Sequence, residues 1–279
     1  MDSMSTPHLI TASDLRELGD DPKLRIVDAT VHLRFGDGAP QIESGRESYL
    51  AGHIPGATFI DQLVALSDAD GEAPFAVVSS DDFAAVVGDA GIGDDSRVVV
   101  YDTENGIWAT RLWWHFGLEG FDEIAVLDGG LQAWVDAGFP IDRGESGYPP
   151  ADFTARRRPE RIESTDEVIA DVDDDSVLLI NALDRDAFAG GHIPGSVNVP
   201  FGELVDERGR LKDVPALREI FDAVGALDAG ARPVTYCGGG IAATAAAFAL
   251  SAVGRDDAAV YDGPMNAWTS DPARPLETS

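Results

Sequence analysis

Short apolar runs recur along the chain at intervals that suit a parallel sheet. Leu24–Asp28, Ala57–Ile60, Arg97–Tyr101 and Ile124–Leu127 are brief, rich in Val, Ile and Leu, and lack strict polar alternation. Val177–Ile180, Ser196–Val199, Val234–Tyr236 and Ala258–Tyr261 repeat the pattern in the second half. Runs of this kind predict strands buried on both faces. Between them lie segments of helical spacing: Ser80–Ala90, Trp108–Phe116 and Leu131–Ala137, then Val214–Val224, Ala243–Val253 and Met265–Trp268. Strands alternating with helices predict an α/β fold, with a mainly parallel sheet and helices on both faces.

The pattern occurs twice. Gly52-His-Ile-Pro-Gly56 returns as Gly191-His-Ile-Pro-Gly195. Val98-Val-Val-Tyr-Asp102 matches Pro233-Val-Thr-Tyr-Cys237, and Val126-Leu-Asp-Gly-Gly-Leu-Gln-Ala-Trp134 matches Val260-Tyr-Asp-Gly-Pro-Met-Asn-Ala-Trp268. Three ordered matches at nearly one period imply two copies of one domain. The first is assigned to residues 1–143 and the second to 161–279. Residues 144–160, with turn formers and charge but no regular period, read as the linker. Trp134 and Trp268, shared by both copies, are expected in the cores. Asp128 and Asp262, also shared, are expected as turn or cap residues. Arg156-Arg-Arg158 is expected to pair with carboxylates of the neighbouring domain.

The copies differ where chemistry is expected. The single cysteine, Cys237, ends a strand and opens Gly238-Gly-Gly240-Ile-Ala-Ala243, which leads into an alanine-rich helix. Three glycines let the loop curl with its N–H groups inward. The helix adds unpaired N–H groups and its positive dipole end. Such a cradle stabilises an anion, here a thiolate or a group carried on it. Cys237 is therefore the candidate nucleophile. The first copy has Asp102 at this place, and a carboxylate cannot act as a sulfur nucleophile.

On these residues the chain resembles tandem rhodanese-like sulfurtransferases of the thiosulfate and 3-mercaptopyruvate group. The residues that carry the resemblance are the two His-Ile-Pro-Gly segments, the Tyr-Asp102 and Tyr-Cys237 strand ends, the cysteine loop and the two Asp-Gly…Ala-Trp segments. The resemblance covers almost the whole chain. It implies two tandem rhodanese-like domains, the first non-catalytic and the second catalytic. It also implies sulfur transfer without a cofactor or metal. Cys237 takes a sulfur from a donor, carries it as a persulfide, and yields it to a thiophilic acceptor such as cyanide or a thiol like thioredoxin. The N–H groups of Gly238, Gly239, Gly240, Ile241, Ala242 and Ala243 would hold the anionic sulfur.

The family pattern also directs attention to two further residues. Mercaptopyruvate enzymes use a histidine of the first domain, which makes His53 a substrate-binding candidate. The family carries Asp-Ala-Arg after the first strand of the second domain, with the Arg on the substrate anion. Here the segment is Asn181-Ala182-Leu183, and Arg185 is the candidate replacement. Thiosulfate-type loops read Cys-Arg-Lys-Gly-Val-Thr, and mercaptopyruvate-type loops read Cys-Gly-Ser-Gly-Val-Thr. The neutral Cys237-Gly-Gly-Gly-Ile-Ala242 is nearer the second, although Gly239 replaces its Ser. A persulfide carrier that feeds a protein partner is the alternative. A cysteine phosphatase is disfavoured, because the Arg that would close its loop is Ala243 here.

Composition narrows the remaining classes. The formal net charge is −30, from 50 acidic and 20 basic residues. The acids are scattered, which reads as the solvated coat of a halophilic protein and repels nucleic acid. No apolar run is long enough for a transmembrane helix. Met1–His8 has neither the basic nor the apolar region of a secretory signal. A lone thiol fits a reducing compartment, and the cytoplasm is expected.

Overall fold

The computed structural model describes residues 8–34, 41–71, 73, 75–263 and 265–279. Most of the Met1–His8 segment read for a signal lies outside them. The first half contains β1 (Leu9–Ile10), β2 (Leu24–Asp28), β3 (Val31–Arg34), β4 (Gln41–Ser44), β5 (Thr58–Phe59), β6 (Arg97–Tyr101) and β7 (Ile124–Leu127). The second contains β8 (Ile162–Glu163), β9 (Val177–Asn181), β10 (Val197–Asn198), β11 (Arg232–Tyr236) and β12 (Ala259–Tyr261). Two five-stranded parallel sheets result, ordered β1-β7-β6-β2-β5 and β8-β12-β11-β9-β10. The matching orders confirm the duplication.

Every strand expected from the apolar runs is present. The two-residue edge strands β1 and β8 are too short to leave a periodic signal. They gain their hydrogen bonds from β7 and β12. Among the described residues, the antiparallel hairpin β3–β4 has no counterpart strand pair in the second half, and it pairs His32 with Glu43 and Leu33 with Ile42.

Helices Ile107–Leu118 and Ile241–Ala252 pack against each other across the domain boundary. Both are apolar around nearly their whole circumference, the pattern of a helix buried on all sides. Alanine fills much of the second helix, which lets the aromatic residues of the first approach closely. Trp113 meets Phe248 edge to face at 4.9 Å. One apolar core therefore continues from domain to domain. Trp134 and Trp268 are buried in the separate cores of their domains, as expected.

A symmetric pair of polar contacts latches this interface. Asp128 accepts a hydrogen bond from the Leu211 N–H at 3.0 Å, and Asp262 accepts one from the Val77 N–H at 2.9 Å. Each aspartate reaches a loop of the other domain. This contact between domains adds to the turn or cap role that their shared positions predict. The sequence signal was ambiguous because an aspartate after a strand serves either purpose. In the 144–160 segment, Arg157 pairs with Glu119 at 2.7 Å and Arg158 holds both oxygens of Asp122 at 2.6 Å.

The acidic coat gives a first testable consequence. Relieving about 3–4 kcal/mol of self-repulsion by screening corresponds to a Tm increase of about 10 °C for a chain of this size. Melting in graded KCl is expected to show that rise between low and molar salt. A Tm insensitive to KCl would dismiss the halophilic reading.

Candidate functional site

Strand β11 delivers Cys237 to the carboxyl edge of the second sheet, where open α/β sheets bind ligands. The Cys237 carbonyl accepts the Met265 N–H at 3.0 Å. Gly240 takes a left-handed φ of +81° and caps the Ile241–Ala252 helix. Only glycine adopts that conformation without strain. Thr235 ties the strand to the helix start by donating to the Ala243 carbonyl at 2.9 Å.

The first domain shows what this kind of loop can bind. Asp102, buried at the matching strand end, accepts four backbone N–H bonds. One oxygen takes Glu104 at 2.7 Å and Gly106 at 2.9 Å; the other takes Trp108 at 2.8 Å and Ala109 at 2.7 Å. Burial pushes its carboxyl up, against the four N–H groups that favour the ionised form. The helices that follow begin with the same left-handed glycine, Gly106 and Gly240. Matching the helices residue by residue, Gly240, Ala242 and Ala243 of the second domain take the places of Gly106, Trp108 and Ala109 in the first. In the first copy the cradle is filled by its own carboxylate. In the second, Cys237 takes the place of Asp102.

Asp102→Asn tests the first cradle. The amide can satisfy one pair of donors, but its NH2 then faces the other pair. A loss of about 2–3 kcal/mol is expected for the unsatisfied groups, read as a lower urea midpoint. An unchanged midpoint would show that the four bonds contribute nothing net.

Cys237 is 2 % exposed and opens onto a cleft of about 480 Å³ between the domains. Gly238, Gly239, Ile241 and Ala242 line the cleft with it, while Gly240 and Ala243 are not part of the lining. The walls are mostly apolar. Leu33 and Ile42 come from the hairpin, and Phe75 meets Trp108 edge to face at 5.2 Å. Glu104, Asn105 and Asn266 supply the polar groups. Among the described residues, no Lys or Arg lines the cleft.

Two sequence candidates are not part of this lining. His53 is fully buried, donates through Nδ1–H to the Tyr49 carbonyl at 2.9 Å, and stacks on the Tyr49 ring. His192 repeats this arrangement on Phe188. The repetition identifies both as turn histidines packed one helical turn after an aromatic residue. Arg185 sits in the first turn after the Asp184 cap, points outward, and forms a bidentate pair with Glu203 at 2.7 Å for both bonds. Its side chain is 69 % exposed. The position of the missing family arginine is occupied by Leu183, which does line the cleft.

The sequence reading missed Arg111. It lies on the first-domain helix and is 4 % exposed. Its guanidinium donates to the Gly240 carbonyl at 3.3 Å, the Phe75 carbonyl at 2.6 Å and Asp262 at 2.8 Å. Its far face lies over the Trp114 ring at 4.6 Å. One cation thus joins the end of the cysteine loop, a cleft wall and the interdomain latch. A signal was available: a cation in the middle of Ile107-Trp-Ala-Thr-Arg-Leu-Trp-Trp, apolar on all sides, needs a buried partner.

Comparison with known proteins agrees with this geometry. The family model described as "Rhodanese-like domain" matches residues 11–137 and 164–271. The chain is 31 % identical over 285 residues to 3-mercaptopyruvate sulfurtransferase of Escherichia coli (strain K12), covering 98 % of this chain and 99 % of that protein. It is 31 % identical over 263 residues to thiosulfate sulfurtransferase of Bos taurus, covering 88 % and 85 %. The crystal structure of SseA from Escherichia coli, described as a rhodanese-fold 3-mercaptopyruvate sulfurtransferase, superimposes with a TM-score of 0.82 at 30 % identity. That match covers 93 % of this chain and 99 % of SseA.

Proposed function

Since the chain belongs to the rhodanese-like sulfurtransferases, we propose that it transfers sulfur through a persulfide on Cys237. The observation that carries this is the sulfur itself, placed between a strand end and a helix N-terminus and lining a cleft sized for a small donor. Two half-reactions follow, in a ping-pong scheme. The Cys237 thiolate attacks the outer sulfur of thiosulfate or 3-mercaptopyruvate, releasing sulfite or pyruvate. A thiophilic acceptor, cyanide in an assay or a thiol in a cell, then takes the terminal sulfur.

The neutral loop and the apolar cleft favour 3-mercaptopyruvate over the thiosulfate dianion. Leu183, where the family places a guanidinium, withholds a cation from either donor. A thiol protein such as thioredoxin suits the acceptor step. Among the described residues, no helix is long and apolar enough to cross a membrane. A free nucleophilic thiol supports a reducing, cytoplasmic setting.

The test is cyanide-dependent turnover with both donors in molar KCl. A kcat/KM about tenfold or more higher with 3-mercaptopyruvate is expected, equal to about 1.4 kcal/mol of transition-state preference. A preference for thiosulfate would overturn the donor assignment. Neither donor turning over, with a persulfide still found on Cys237, would favour the carrier alternative.

A further inference from the structure

We propose that Glu104, backed by His32 and Ser48, is the proton-delivering group of the cleft when the sulfur donor is an organic thiol. The proposal rests on the sulfurtransferase reading and goes beyond it. Glu104 stands in the first-domain loop whose strand end is blocked by Asp102, and it lines the same cleft as Cys237. Its Oε1 lies 2.7 Å from His32 Nδ1, and His32 Nε2 lies 2.9 Å from Ser48 Oγ. The Ser48 hydroxyl donates to the Gly45 carbonyl at 2.7 Å. With its proton on that carbonyl, Ser48 accepts from His32 Nε2. That fixes one proton on Nε2. A second proton lies between Nδ1 and Glu104 Oε1, available to whichever group the cleft demands.

Among the described residues, an acid and a cation of the hairpin adjoin the pair. Glu43 faces His32 across the hairpin and is itself paired with Arg34 at 3.3 Å. Glu104 is 36 % exposed at its side chain and can be reloaded from solvent. The pair thus has a route in for protons and a route out to the cleft.

The two donors make different demands on such a group. With 3-mercaptopyruvate, the Cys237 thiolate forms an S–S bond and the donor's C–S bond breaks. The bonding electrons pass to the departing carbon, which becomes the pyruvate enolate. That carbon takes the shared proton from Glu104, leaving the Glu104 carboxylate beside neutral His32. The thiol proton of the donor stays on the persulfide, and pyruvate leaves. With thiosulfate, the S–S electrons leave on sulfite, a stable anion, and no carbon needs a proton. The loop serine that mercaptopyruvate-type relatives carry is Gly239 here. The cleft therefore needs another proton source for the first donor and none for the second.

The test is single-turnover release of pyruvate or sulfite by the full chain in molar KCl, for wild type, Glu104→Gln and His32→Gln. Glu104→Gln should slow pyruvate release about 100-fold, within the range of general acid catalysis, while sulfite release changes less than about threefold. His32→Gln should show a smaller loss with 3-mercaptopyruvate and a flatter pH–rate profile. Equal loss with both donors would make Glu104 structural, and no loss with either would leave it a bystander; each result overturns the proposal. Wild type that forms its persulfide only from thiosulfate overturns it as well. Failure of wild type to form the persulfide from either donor strikes instead at the sulfurtransferase reading. Circular dichroism and Cys237 alkylation confirm that the variants fold.

Discussion

Cys237→Ser is expected to lose transfer by at least about a thousandfold with either donor, the scale for removing a nucleophile outright. The loss is chemical: a serine hydroxyl cannot carry a sulfane sulfur, and no second thiol exists in the chain. The fold should survive. Cys237 is 2 % exposed, and exchanging a thiol for a hydroxyl there costs about 1–2 kcal/mol, softened by the N–H groups around it. Intact mass after exposure to donor gives the second readout. Wild type should gain the mass of one sulfur atom, and the variant none. Residual turnover within about tenfold of wild type would transfer the nucleophile's role elsewhere. Asp102→Asn provides the contrast. It occupies the matching strand end, and its effect should fall on stability with kcat kept within about threefold. A large kcat loss in Asp102→Asn would show that the first domain's cradle takes part in the chemistry.

The fold and the place of Cys237 at the cleft were legible because their signals are local. The apolar runs that become β6 and β11 are continuous in sequence, and three glycines between a strand and an alanine-rich helix mark a tight loop at the strand end. Duplication strengthened both readings. The cleft was far less legible because it is assembled from distant segments. His32 and Glu104 are 72 residues apart and each looks like an ordinary surface side chain. Only the hairpin, whose halves lack strong apolar alternation, brings them together. Arg185 failed as a candidate for the opposite reason. Proximity in sequence suggested it, but the Asp184 cap starts a helix that turns it toward Glu203 and solvent. His53 failed because its buried stacking on Tyr49 is already a complete environment, repeated at His192.

Arg111→Met should damage stability and chemistry together, because one guanidinium serves both. Removing it leaves the Asp262 carboxylate, 10 % exposed at its side chain, without its ion-pair partner. Breaking such a buried pair costs about 3–5 kcal/mol. That corresponds to a Tm lower by roughly 10 °C for a chain this long. The Gly240 and Phe75 carbonyls lose their shared donor at the same time. Gly240 sets the left-handed turn between Cys237 and the helix, so loosening it should disturb the cysteine loop. Persulfide formation is expected to slow by tenfold or more, about 1.4 kcal/mol of lost transition-state stabilisation. Arg111→Lys separates the two effects. An ammonium can still pair with Asp262 and restore much of the Tm, but it lacks the planar fork that reaches both carbonyls. The rate should therefore recover less than the stability. If Arg111→Met melts early yet keeps the wild-type rate of persulfide formation, the residue only holds the domains together. If both properties move and lysine rescues only the first, the first domain positions the reactive loop of the second.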